Sequence, residues 1–214
     1  MERAPPESEA SLGLIHAVRY GSSRDSPVAF LIHGRAGNVN VMKVFARMFH
    51  TNWTLIAPQA PLTDEYDGGF SWWDYKEGSD TIDNSINRAE EVLFNFIQRS
   101  IQFYALQPTR IFVMGFSQGG ALVSVLIQQR PEFWCGAALL AGFVVERRRR
   151  VSVPVFMAHG TEDTTIEVAK ARSGKDYLTA MGADVTYVEE PTGHKVGGKG
   201  MSALKHFITG LEAQ

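Results

Sequence analysis

A single cysteine, Cys135, is the only thiol in this 214-residue chain. No disulfide can therefore close within it, which fits a reducing compartment. An excess of charge is missing too: 21 Lys and Arg against 23 Asp and Glu leave a formal net charge of −2. That balance gives no reason to expect nucleic acid or an anionic membrane as a partner. Long apolar runs are also lacking. The longest, "CGAALLAGFVV", falls short of the roughly 20 residues a spanning helix needs, so stable membrane insertion is not expected. The opening "MERAPPESEASLG" is polar and carries no apolar segment of the kind that marks a signal peptide. With no internal repeat and no low-complexity linker, the chain reads as a loose tail over residues 1–13 and one domain over 14–214. At 44% apolar and 21% charged residues it has the composition of a soluble globular protein, expected in the cytoplasm.

What is present is alternation. "LIHAVRY" (14–20) and "PVAFLIH" (27–33) flank a Gly-Ser-Asp turn cluster, predicting a hairpin. Residues 39–51 predict a helix with Val41, Val44, Phe45 and Met48 on one side. "WTLIAP" (53–58) is a short strand stopped by Pro58. After a long aromatic loop over 59–80, Ile82, Ile86, Ala89, Leu93, Ile97 and Ile101 recur at helical spacing, predicting a helix from about 81 to 105. The strand "RIFVMG" follows, apolar on both faces, then a helix (118–130) and strands at 136–142 and 153–160. A helix from about 165 to 182, a strand at 184–190 and a helix at 200–211 close the chain. This order implies βαβ crossovers and a mostly parallel sheet with helices on both faces. In such sheets the reactive groups gather beyond the carboxyl ends of the strands.

Four strand ends carry unusual residues. Gly115-Phe116-Ser117-Gln118-Gly119 fits G-x-S-x-G, a sharp strand-to-helix turn that exposes a serine hydroxyl above the sheet. Ser117 is the expected nucleophile; the plainer alternative is a serine that caps the helix. A serine needs a base and the base an orienting acid, arranged on this architecture in the order Ser, acid, His. Of the histidines after Ser117, His159 ends a strand and is expected to shape a turn, and His206 sits on the face of the last helix. His194, in the glycine-rich "EEPTGHKVGGKG", is free to swing over a strand end. "HGTEDTT" offers Glu162 and Asp163 as acids, and an Asp there could equally cap the next helix. Finally, "LIHGRAGN" (31–38) is a His-Gly turn of the sort that supplies half an oxyanion hole, with the backbone N–H groups of Arg35 and Gln118 as the natural pair.

The loop residues Phe70, Trp72, Trp73 and Tyr75 either wall a substrate pocket or anchor the loop to the core. Cys135 reads as a small hydrophobe. The basic run "ERRRRV" (146–151) reads as a solvated loop or helix end, with contact to an acidic group as the alternative.

Taken in order, "FLIHGRAGN", "LIAPQAP", "SWWDY", "VMGFSQGGALV", "HGTED" and "TGHK" resemble the α/β-hydrolases of the phospholipase/carboxylesterase family, a group that includes acyl-protein thioesterases. The resemblance covers roughly residues 27–210. It implies an α/β-hydrolase fold without a large lid domain, no cofactor or metal, and cleavage of a small-molecule ester or thioester. It favours Asp163 over Glu162 as the acid, beside Ser117 and His194, with the oxyanion donors on Arg35 and Gln118. Relatives commonly carry an apolar residue at position 35, so the Arg35 guanidinium is expected to meet an anionic part of the substrate. Relatives also often follow the acid with Pro and Val-Pro, where this chain has Thr164-Thr165-Ile166-Glu167, leaving the next helix start open. A non-catalytic binding protein on the same scaffold, or a lactone or peptide hydrolase, remain the alternatives. The sequence leaves open whether the chain forms a homodimer.

Overall fold

The computed structural model describes residues 1–3, 10–73 and 82–212. Apolar residues alternate between two cores along every central strand, because a strand sends successive side chains to opposite faces. In β3 (Val28–Ile32), Val28, Phe30 and Ile32 join one core while Ala29 and Leu31 join the other. In β9 (Pro154–Gly160), Val155 and Met157 face the first core, and Phe156 and Ala158 the second. Strands buried on both faces read as unbroken apolar runs, as the sequence led us to expect.

The remaining sheet strands are β1 (Glu2–Arg3), β2 (His16–Arg19), β4 (Thr54–Pro58), β7 (Ile111–Phe116), β8 (Gly136–Leu140) and β10 (Asp184–Glu190), in the order β1-β2-β4-β3-β7-β8-β9-β10. From β4 to β10 every pairing is parallel; β1 and β2 add an antiparallel edge. A small antiparallel pair, β5 (Leu62–Thr63) and β6 (Phe70–Ser71), lies apart.

Helices α1 (Ile82–Phe103), α2 (Gln118–Gln129) and α3 (Val168–Ala180) cover the first core. A 3-10 segment (Val41–Met48) and α4 (Gly198–Glu212) cover the second. α1 buries Ile86, Ala89, Leu93 and Ile97 at the expected spacing. It ends where Ala105 turns left-handed (φ 49) and Leu106 N–H reaches back to Ile101 O at 2.9 Å, a Schellman-type stop.

Three expectations, the hairpin, the 39–51 helix and the tail, are corrected. The hairpin is absent: β2 and β3 are separated by β4, antiparallel to the first and parallel to the second. The helix over 39–51 is the 3-10 segment, which buries Met42, Phe45 and Met48 and leaves Val41 and Val44 exposed. The start of the expected tail is in the sheet, with Glu2 opposite Val18 and Arg3 opposite Ala17, while Leu12 is buried. In the basic run, Arg147 reaches Asp83 (3.3 Å) and Asn87 Oδ1 (2.9 Å) on α1, and Arg148, Arg149 and Arg150 are exposed. Among the described residues no helix is long and apolar enough to cross a membrane.

Candidate active site

The turn between β7 and α2 is held by close backbone approach. A Cβ on Gly115 would collide with the backbone of Gly119, and one on Gly119 with the carbonyls of Ile32 and His33 at the end of β3. Between these glycines Ser117 takes φ 53, ψ −116, a conformation costly for a residue with a side chain and held only by its surroundings. Ser117 N–H donates to Leu140 O at the end of β8 (2.8 Å), and Ser117 O opens the α2 ladder by accepting from Ala121 N–H (3.1 Å). The hydroxyl makes no capping bond to the helix, so the plain capping role fails. It donates instead toward His194 Nε2 at 3.0 Å.

His194 stands on the loop between β10 and α4, its ring packed against Phe116 with centroids 5.1 Å apart. Its Nδ1 lies 2.7 Å from Asp163 Oδ2. An ionised carboxylate can only accept, so Nδ1 carries the proton and Nε2 offers its lone pair to Ser117. Asp163, its side chain fully buried, leaves β9 through Gly160. Burial works against its charge, but the N–H of Ile166, His194 and the N–H of Thr165 outweigh that and hold its carboxyl below the usual range. Both backbone bonds are 2.9 Å and both reach Oδ1. Asp163 therefore builds the turn ahead of α3; the helix starts later, and its N-cap position is Glu167.

The backbone of residue 34 runs beside the serine: a Cβ on Gly34 would lie 3.1 Å from Ser117 Cβ. That brings Arg35, the next residue, to the same edge as Gln118, whose N–H belongs to the first turn of α2, where helical N–H groups lack intrahelical partners. The Gln118 side chain has a separate task. Its Oε1 accepts from Trp72 N–H (2.8 Å) and its Nε2 donates to Trp73 O (3.0 Å), clamping the aromatic loop to α2. Trp72 Nε1 donates to His33 O at 2.9 Å. With Trp72 at 2% and Trp73 at 1% exposure, neither offers a ligand a wall of any extent. Both are core anchors, which corrects the substrate-binding expectation for them. Phe70 is half-buried; Tyr75 falls outside the described residues.

The Arg35 expectation is also corrected. Its Nε donates to Asp64 Oδ2 at 2.9 Å and its Nη2 to Asp67 Oδ2 at 2.6 Å, so two carboxylates of its own chain already match its charge.

Three further residues escaped the sequence reading as parts of this site. His33, fully buried, accepts from Ala60 N–H at Nε2 (2.9 Å) and donates from Nδ1 to Gly34 O (2.6 Å). His159 Nε2 donates to Ile166 O (2.8 Å) and lies 3.3 Å from Asp163 Oδ2. Glu190 accepts from the N–H groups of Lys199 (3.2 Å) and Gly200 (2.9 Å), tying the far end of the His194 loop. Only the "HG" of residues 33–34 and 159–160 hinted at any of them, by placing a histidine at a strand end. Among the described residues no three His, Cys, Asp or Glu side chains are grouped to hold a metal ion.

A mostly parallel sheet with a serine elbow at its carboxyl edge defines an α/β-hydrolase fold, and the described residues form no large lid. The carboxylesterase of Bacillus cereus superposes with a TM-score of 0.84 at 20% identity, covering 96% of this chain and 98% of that one. The phospholipase/carboxylesterase family profile matches residues 15–211, and the chain belongs to that family. A probable carboxylesterase of Oryza sativa subsp. japonica is 24% identical over 227 residues, covering 96% of this chain and 85% of its own length. The acyl-protein thioesterase 1 homolog 1 of Dictyostelium discoideum is 23% identical over 189 residues, covering 81% and 84%. Family and relatives support a hydrolase with esterase activity in general terms.

Proposed function

We propose that the protein is a serine carboxylesterase acting on small carboxylic esters or thioesters, with Ser117 as nucleophile, His194 as base and Asp163 as the orienting acid. The single observation that carries this reading is the unbroken hydrogen-bonded chain from Ser117 Oγ through His194 (3.0 Å, then 2.7 Å) to Asp163 at the carboxyl edge of the sheet. His194 Nε2 takes the hydroxyl proton as Ser117 Oγ attacks the acyl carbon, and Asp163 stabilises the imidazolium. The carbonyl oxygen, now negative, is stabilised by the N–H groups of Arg35 and Gln118. His194 gives its proton to the departing alcohol or thiol. Water, activated by the same imidazole, then releases the carboxylic acid from Ser117. The ring must be neutral at the outset to accept the hydroxyl proton.

Of the loop aromatics, half-buried Phe70 has surface to offer the acyl group. A fluorophosphonate probe should label the wild-type protein and spare Ser117→Ala. A panel of p-nitrophenyl esters of rising chain length, run beside acyl-thioesters, then sets the substrate class. Absence of both labelling and turnover would sink the esterase reading and favour a binding protein on the hydrolase scaffold.

A further inference from the structure

The N–H of residue 35 can stabilise an oxyanion only if its loop is fixed before the reaction, because donors that must reorient lose their advantage. Within the loop, Gly34 O accepts from Gly37 N–H (3.2 Å) and His33 Nδ1 (2.6 Å), which leaves residues 35 and 36 to be held from outside. Ala36 sits at φ 57, a left-handed conformation that a non-glycine residue keeps only when its surroundings hold it. Those surroundings come from the 64–71 segment. Gly37 and Phe70 exchange two backbone hydrogen bonds, 3.1 and 2.8 Å, and a Cβ on Gly69 would collide with the Ala36 carbonyl.

At the centre of this contact is Asp64, buried at 8% exposure. Its oxygens divide the work. Oδ1 accepts from Tyr66 N–H (3.1 Å) and Asp67 N–H (3.0 Å), building its own turn, with Arg35 Nη2 at the limit of hydrogen-bond reach (3.5 Å). Oδ2 accepts from Arg35 Nε (2.9 Å) and from Ser71 Oγ (2.9 Å). Ser71 Oγ in turn accepts Ala36 N–H at 3.2 Å. One oxygen thus grips two consecutive residues of the oxyanion loop, the first by its side chain and the second through a serine. The Arg35 hydrogen bond, followed by the Asp67 N–H, drives the Asp64 carboxyl far below the usual range and favours its ionised form.

We propose that Asp64 is a positioning residue for the oxyanion loop, acting on the Arg35 N–H through the Arg35 guanidinium and Ser71. This rests on the esterase reading above and names a device within that same site. The division between the two oxygens supplies the test. In Asp64→Asn the amide oxygen keeps the Tyr66 and Asp67 bonds, so the turn survives. Its NH2 replaces Oδ2 and confronts a guanidinium that can only donate.

With a p-nitrophenyl ester, Asp64→Asn is expected to lower kcat about 10–100-fold, less than the loss of a donor outright, with KM within about threefold and a lowered Tm, since the carboxylate's stabilising bonds to Arg35 are lost. Affinity for a trifluoromethyl ketone of the same acyl group, which forms an oxyanion on Ser117, should fall by the same factor as kcat/KM. Affinity for the product acid should hold. Arg35→Met, which keeps the backbone N–H, should match Asp64→Asn, and the double variant should be no worse than either alone. If Asp64→Asn fails to fold, Arg35→Met carries the test. A kcat within twofold of wild type in the folded variants, or equal losses for ketone and product acid, overturns the proposal. An active wild type with unaffected variants brings down this device alone; a wild type without turnover brings down the esterase reading with it.

Discussion

Asp163 divides its bonds as Asp64 does. Oδ1 takes the N–H groups of Thr165 and Ile166; Oδ2 faces His194 at 2.7 Å and His159 at 3.3 Å. In Asp163→Asn the carbonyl oxygen can stay with the two backbone donors, because an NH2 placed there would leave both unsatisfied. The NH2 then points at His194 Nδ1, which must give up its proton and accept. The proton moves to Nε2, and the ring can no longer take one from Ser117. We expect kcat to fall by about 10⁴-fold, the size of loss that a wrong tautomer causes in serine proteases, with the urea midpoint shifted far less than kcat. Ser117→Ala should lose at least as much. A loss under tenfold in Asp163→Asn would mean that the acid does not set the tautomer.

At the scale of elements, the packing of α2 on β3 governs the elbow. Gly119→Ala gains about 1 kcal/mol of helix propensity, but its Cβ meets the carbonyls of Ile32 and His33. Main chain cannot turn aside as a side chain would, so α2 must move. Overpacking of this kind costs about 1–3 kcal/mol and outweighs the propensity gain. Urea unfolding should therefore show a lowered midpoint, and turnover should fall because the same shift displaces the Gln118 N–H. A midpoint at or above wild type would show that the helix has slack.

These elements were readable where the signal is local. The apolar runs of β7 and β9, the α1 periodicity and the G-x-S-x-G turn each declare themselves within a dozen residues. What the sequence hid was pairing at a distance. A turn cluster at 21–26 predicts a hairpin, but nothing within residues 14–33 reveals that β4 slots between the two strands. Asp64 lies 29 positions from Arg35, and in a sequence "TDEYDGG" is only a polar turn. Trp72 and Trp73 could wall a pocket or fill a core until Gln118 is seen to fasten their backbone. Candidate site residues announced by a motif could be named from sequence, whereas those that hold the motif in place show only in the fold.

For the whole molecule, acid is the informative stress, and His33 sets where it begins. Burial lowers its pKa from the ordinary 6.5 to about 4, against the pull of its bond to Gly34 O. Both ring nitrogens are committed, Nε2 accepting from Ala60 and Nδ1 donating to Gly34, so protonation would break the bond at Nε2. A folded-state value below the unfolded one means that the unfolded chain binds the proton first. The stability His33 contributes is whole above about pH 6.5 and drains away as pH falls toward 4, on the order of 3 kcal/mol in all. Asp163 and Asp64, both held below the usual carboxylate range, contribute stability that is present above their unfolded values and is lost only at lower pH still. Glu90 opposes them. Burial raises its pKa despite the Arg130 guanidinium beside it, so the folded state takes up that proton first and gains stability as pH falls through the raised value. The urea midpoint should decline between pH 7 and 4.5, and Glu90→Gln, which removes the opposing group, should steepen the decline. A flat midpoint across that interval would mean that the buried imidazole is not neutral, and with it would go the account of the Gly34 turn that it braces.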